Sequence, residues 1–288
     1  MTEIVSRRIE ANRLRFAIDE AGEGGRVALF LHGFPESRLC WRHQLPALAA
    51  LGWRAVAVDM RGYGQSSRPK AREAYRIDHL VADVAGLFDA LGARRRLLIG
   101  HDWGGLLTWA AASRRATPLD GLIIVNAPHP QVYAEVVRRS WRQRLRSWYV
   151  LYFALPWLPE AAFTAGHAYQ VERVLRRTAS RADVFPPEIM DHYRDNASQR
   201  GAMTAMLNYY RANRDVRRFI GAGVEAPTLL LWADRDFALG NELVPGTAAH
   251  VPDLTIRMLS AVSHWAPEEA PDRVNAAIRE WLMDRDLA

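Results

Sequence analysis

The chain has 288 residues, 49% hydrophobic and 24% charged, which is enough to bury a large core and too apolar for disorder. A single cysteine, Cys40, excludes an intrachain disulfide and a thiol-based metal cluster, and it fits a reducing, cytoplasmic setting. The net charge of +6 is almost all arginine, Lys70 being the only lysine; acids such as Glu172, Asp191 and Asp195 dilute the arginine clusters, so no nucleic-acid partner is expected.

Met1 to Phe16 is interrupted by Glu3, Arg7, Arg8, Glu10, Arg13 and Arg15, so no apolar leader is read there. Arg13 to Asp19 alternates and predicts an early strand. Val27–Leu31, Ala55–Val58, Leu97–Ile99 and Leu122–Val125 are compact apolar runs that predict buried central strands. Helical spacing separates them at Trp41–Leu51, Ile77–Leu91 and Gly105–Ser113, with Leu80, Val84, Leu87, Phe88 and Leu91 sharing one face. Such alternation builds a mainly parallel sheet flanked by helices, an α/β fold.

From about Pro130 to Arg218 the alternation stops, and an aromatic, arginine-rich, helical pattern takes over. Strand and helix then return with Pro227–Trp232, a helix after Leu239, a strand at Leu254–Leu259 and a closing helix at Pro271–Met283. The expected organisation is a core of residues 1–129 and 219–288, with residues 130–218 as a helical cap inserted between two halves of the sheet. Trp148 to Pro159 is the longest apolar stretch, too short for a bilayer span and interrupted by Pro156, so it reads as buried protein and no membrane partner is expected.

The chemistry centres on Gly100-His101-Asp102-Trp103-Gly104-Gly105, directly after a predicted strand. A sharp strand-to-helix turn with small flanking residues displays a nucleophile in hydrolases, and here that place holds a carboxylate. A carboxylate is a weak nucleophile toward carbonyls but can displace a leaving group from saturated carbon, so the substrate should carry an electrophilic sp³ carbon such as an epoxide or alkyl halide. Asp234 and Asp236 follow one late strand and His264 follows the next, and loops at the carboxyl ends of parallel strands share one crevice. Asp102, Asp236 and His264 therefore stand in the order nucleophile, acid, histidine, with Asp236 favoured over Asp234 to orient His264 as a general base toward water. His101 should point away from the nucleophile, and His32, His43, His129 and His167 have no comparable partners. In Leu31-His32-Gly33-Phe34-Pro35, Gly33 lets the backbone approach a ligand, and the amides of Phe34 and Trp103 are expected to form an oxyanion hole.

With these residues in place, the chain resembles the soluble epoxide hydrolases of the α/β-hydrolase fold from about Val27 to Trp281. His32-Gly33-Phe34-Pro35, Asp59-Met60-Arg61-Gly62-Tyr63-Gly64, Gly100 to Gly105, Asp236-Phe237 and His264-Trp265 look like family motifs in family order. In the cap, Tyr149-Val150-Leu151-Tyr152-Phe153 and Leu207-Asn208-Tyr209-Tyr210-Arg211 are similar to the segments bearing the two ring-opening tyrosines. The resemblance implies Tyr149 and Tyr210 as donors to the epoxide oxygen, with Tyr152 and Tyr209 as the competing choices. It further implies no metal or organic cofactor, a small hydrophobic epoxide and water as partners, and a monomer or homodimer. Trp103, Trp148, Phe153, Met206 and Trp265 are the expected pocket residues. The nearest rival is a haloalkane or haloacid dehalogenase with the same Asp-His-Asp triad. The haloalkane enzymes would want Asn at Phe34, and fluoroacetate-type relatives would want Arg at Trp103.

Overall fold

A computed structural model describes residues 3–181 and 183–288, so positions 1, 2 and 182 of the expected core and cap lie outside the described residues. Its strands are β1 (Val5–Ala11), β2 (Leu14–Ala21), β3 (Arg26–Leu31), β4 (Arg54–Val58), β5 (Arg95–His101), β6 (Gly121–Val125), β7 (Thr228–Ala233) and β8 (Leu254–Leu259). They form one sheet in the order β1-β2-β4-β3-β5-β6-β7-β8. β2 pairs antiparallel with both β1 and β4, and every pair from β4 to β8 is parallel. Residues of β3 alternate between two cores, Val27, Leu29 and Leu31 facing one layer and Ala28 and Phe30 the other. Burial on both faces explains why the central strands are apolar without a break.

Two elements depart from the expected pattern. Strand β1 was not anticipated, because Val5-Ser6-Arg7-Arg8-Ile9-Glu10-Ala11 carries charges on an outer strand, as an edge that resists further pairing does. It turns into β2 through Asn12 and Arg13, both at positive φ, the geometry of a two-residue hairpin. The expected helix after Leu239 is instead two short 3₁₀ turns, Asn241–Leu243 and Pro245–Ala249. Pro245 lacks the amide that a helix begun at Asn241 would need there.

Between β6 and β7 the chain leaves the sheet and runs through helices from Pro130–Arg139 to Ala202–Ala212. These helices cover the carboxyl ends of the parallel strands, and Gln143 fastens them to the β7 loop. Its Nε2 donates to the Ala238 carbonyl at 2.8 Å, and its Oε1 accepts from the Gly240 amide at 2.9 Å. The stretch Trp148–Pro159, expected to be buried, is largely on the surface: Leu151 is 77% and Trp157 73% exposed. Its helix has only six residues, Trp148–Phe153, and of these only Phe153 is buried.

Candidate active site

Strand β5 ends at His101, and the helix Trp103–Ser113 starts two residues later, so Asp102 must turn the chain alone. It does so at φ +50°, ψ −117°, a conformation that costs a non-glycine residue roughly 1–3 kcal/mol and survives only where its surroundings enforce it. Glycines supply the enforcement by allowing close packing. A Cβ on Gly104 would lie 2.1 Å from the Leu31 carbonyl oxygen, and one on Gly100 2.3 Å from the Gly104 carbonyl oxygen.

The loop after β3 reaches the same point. The Phe34–Pro35 peptide is cis, and the Phe34 amide donates to Asp102 Oδ1 at 2.8 Å. Gly33 is obligatory there, since a Cβ would sit 2.4 Å from Asp102 Cβ. Asp102 Oδ2 is left facing His264 Nε2 across 3.8 Å, too long for a direct hydrogen bond.

Behind His264, Nδ1 lies 2.6 Å from Asp236 Oδ2. Asp236 Oδ1 accepts the Ala238 and Leu239 amides at 2.8 and 2.9 Å, while Oδ2 also accepts Asn126 Nδ2 at 2.9 Å. Burial alone would raise the Asp236 carboxyl, but the imidazole beside it and these donors hold it below the usual carboxylate range. Burial pushes the His264 imidazole down, yet Asp236, then Asp102 and Glu36, outweigh it and bring it to about 9. Asp234 is occupied elsewhere, capping the next turn by accepting the Ala261 amide at 2.7 Å.

Two cavities meet at this point. One of about 730 Å³ is walled by Phe34, Trp148, Phe153, Phe163, Phe237 and Trp265. The other, about 120 Å³, lies among Trp103, Tyr133, Val216 and Phe219. Asp102, Tyr149 and Tyr210 line both. The Tyr149 and Tyr210 rings meet edge to face at 6.2 Å, and burial, followed by nearby groups that include Asp102, pushes both phenols well above their ordinary value. Tyr209 is fully buried and donates to the Arg61 carbonyl at 2.8 Å, whereas Tyr152 lines only the larger cavity.

One expected pocket residue is corrected. Met206 is wholly buried in the core and lines neither cavity. The helix Ala202–Ala212 is covered on almost every side, and of its residues only Tyr210 reaches the cavities.

Asn126 and Glu36 went unnoticed in the sequence, and His101 was given no partner there. Asn126, at φ +43°, ends β6 at the same sheet edge and holds Asp236, a place that the crevice rule could have flagged. The others are Glu36 and His101, both fully buried: His101 Nδ1 lies 2.9 Å from Glu36 Oε2, and its Nε2 lies 2.9 Å from the His264 carbonyl. The Asp59–Gly64 motif is structural here. Asp59 accepts the Arg38 amide at 3.0 Å and ion-pairs with that side chain, and the Met60 amide donates to His32 Nε2 at 3.1 Å.

A strained carboxylate at the end of a central parallel strand, with a histidine and a second carboxylate brought in from later loops, defines an α/β hydrolase with an aspartate at its elbow. Residues 27–271 match the family described as alpha/beta hydrolase fold. AB hydrolase superfamily protein YfhM of Bacillus subtilis is 34% identical over 284 residues, covering 96% of this chain and 97% of that protein. Epoxide hydrolase 4 of Mus musculus is 35% identical over 283 residues, 96% of this chain and 79% of that protein. The crystal structure of Bacillus megaterium epoxide hydrolase in complex with an inhibitor superimposes with a TM-score of 0.89 at 26% identity, covering 96% of this chain and 99% of that one. The chain belongs to the α/β-hydrolase fold family, among its epoxide hydrolases.

Proposed function

We propose that this epoxide hydrolase converts a hydrophobic epoxide and water to a vicinal diol through an ester on Asp102, beneath a lid formed by residues 130–218. The reading is carried by one juxtaposition: two phenols and a carboxylate face the same junction of two cavities, with an imidazole 3.8 Å behind the carboxylate. With Oδ1 held by the Phe34 amide, Oδ2 is the attacking oxygen. It bonds to an epoxide carbon as the ring C–O bond breaks, and the departing alkoxide takes a proton from Tyr149 or Tyr210.

Esterification removes the negative charge of Asp102, one of the influences that raises the imidazole of His264. Its pKa falls at the moment a base is required. The imidazolium proton passes to the phenolate left by ring opening, and neutral His264, its Nδ1–H donated to Asp236, then takes a proton from water as the hydroxide adds to the ester carbonyl. The resulting oxyanion rests on the Phe34 and Trp103 amides until the ester C–O bond breaks, the proton of the new acid passes to the leaving alkoxide, and the diol departs from a restored Asp102 carboxylate. We place the chain in a reducing, cytoplasmic setting, with which its lone thiol at Cys40 is compatible.

A single turnover in ¹⁸O-water tests the scheme. The first diol should carry no label, because its new oxygen comes from Asp102, and the peptide containing Asp102 should gain it. Label in the diol with none in that peptide would mean direct attack by water and would end the proposal.

Gly33→Ala is a second test. The new Cβ must displace either the carboxylate or the Phe34 amide. A misplacement of about 1 Å costs on the order of 10²-fold in kcat. We expect that loss with an unchanged far-UV circular dichroism spectrum.

A further inference from the structure

Seven of the thirteen exposed large apolar side chains among the described residues fall between Trp141 and Leu158. Trp141, Trp148, Leu151 and Trp157 are between 61% and 77% exposed. Scattered apolar residues on a surface are ordinary, but a cluster of this density marks a contact. Its members share faces: Trp141 and Leu145 are four apart on the helix Trp141–Arg146, Trp148 and Leu151 are three apart on the next, and the Trp148 ring meets Tyr152 at 6.1 Å. Two of its members, Leu145 and Trp148, together with Tyr152 also line the cavity of about 730 Å³ that reaches Asp102, so the cluster adjoins that cavity.

Charge is equally one-sided. From Val136 to Pro159 the chain has five arginines and no aspartate or glutamate. Arg138, Arg139, Arg142, Arg144 and Arg146 are all exposed. Arg146 donates to the Asp236 carbonyl at 2.9 Å, and the Arg142 guanidinium lies over the Trp141 ring at 5.7 Å. Glu135 and Glu242 border the same surface hollow as Arg139 and Arg142, with no ion pair among the four.

We propose that this face of the cap docks on an anionic lipid surface, with Trp141, Leu151 and Trp157 entering the interface and the arginines meeting headgroup phosphates. Tryptophan and arginine on short amphipathic helices are the composition of segments that lie in a membrane interface. No helix among the described residues is long and apolar enough to cross a membrane, but lying on one requires only exposure. A second copy is the poorer occupant, because a two-fold contact through this face would oppose five arginines to five. Docking would place the cavity mouth against the phase in which apolar epoxides dissolve. That delivery role rests on the epoxide reading; the docking itself does not.

Co-sedimentation of the full chain with vesicles of phosphatidylcholine alone, or mixed with phosphatidylglycerol, tests the proposal without any turnover. Binding is expected to the mixed vesicles at low salt and to weaken at high salt. Two variants, Trp141→Ser/Leu151→Ser/Trp157→Ser and Arg138→Glu/Arg144→Glu, should each lower partitioning by about tenfold to a hundredfold. Both should hydrolyse a small water-soluble epoxide at the wild-type rate. Failure of the wild type to bind phosphatidylglycerol vesicles, or binding by both variants as strong as that of the wild type, would overturn the proposal. So would a dimer in sedimentation velocity that the apolar variant splits, which would assign the face to a second copy.

Discussion

His264→Gln is expected to lower steady-state turnover by about 10⁴-fold, the scale of losing the base of a histidine–carboxylate pair, while leaving the first chemical step intact. Glutamine can keep a hydrogen bond to Asp236 but cannot accept a proton from water. The enzyme should therefore halt as a hydroxyalkyl ester, found by mass spectrometry on the peptide containing Asp102 after mixing with styrene-type or aliphatic epoxides. If wild type turns the epoxide over and the variant accumulates no adduct, the nucleophile lies elsewhere.

The same substitution carries a signature in stability. His264 is raised from an ordinary 6.5 to about 9 in the folded protein. Its protonated form therefore adds stability that is fully present below pH 6.5 and is lost as pH rises through 9. The Tm gap between wild type and His264→Gln should be widest in acid and narrow above pH 9. A gap that grew with pH would mean that folding keeps the imidazole neutral, contrary to its contacts with Asp236 and Asp102.

The gathering of Asp102, Asp236 and His264 at one end of the sheet was the most legible part of this chain. Asp102 announced itself because few residues other than glycine can flank so tight a turn, and the elbow does need the absent Cβ atoms of Gly100 and Gly104. Asp236 and His264 followed from strand order, since β7 and β8 are parallel neighbours whose ends open on the same edge. Periodicity failed where burial and apolarity part company. Charged β1 pairs fully with β2, whereas Trp148–Pro159 is apolar and faces outward. Supporting groups were also hidden. An asparagine at a strand end is common in turns, and nothing local to Asn126 says that its amide reaches a carboxylate 110 residues away.

Tyrosine choice was the point at which sequence left two pairs open, and Tyr149→Phe/Tyr210→Phe addresses it. An alkoxide is a poor leaving group, and a positioned general acid contributes about 10²–10⁴-fold. The double variant should lose alkylation within that range, read as the rate of adduct formation in a single turnover. Each single variant should lose less than half of that effect on a logarithmic scale, because the remaining phenol still faces the junction and neighbouring groups do not act additively. Burial holds both phenols well above their usual value, so they stay protonated donors across the working range and the deficit should not depend on pH between about 6 and 9. Controls separate packing from chemistry. Tyr209→Phe forfeits its hydrogen bond to the Arg61 carbonyl and should cost about 1 kcal/mol of stability with alkylation preserved. Tyr152→Phe, at the wall of the larger cavity alone, should change KM more than the rate of ring opening. A double variant that alkylates Asp102 at the wild-type rate, or a Tyr152→Phe variant that does not alkylate it, would move the acid to another residue.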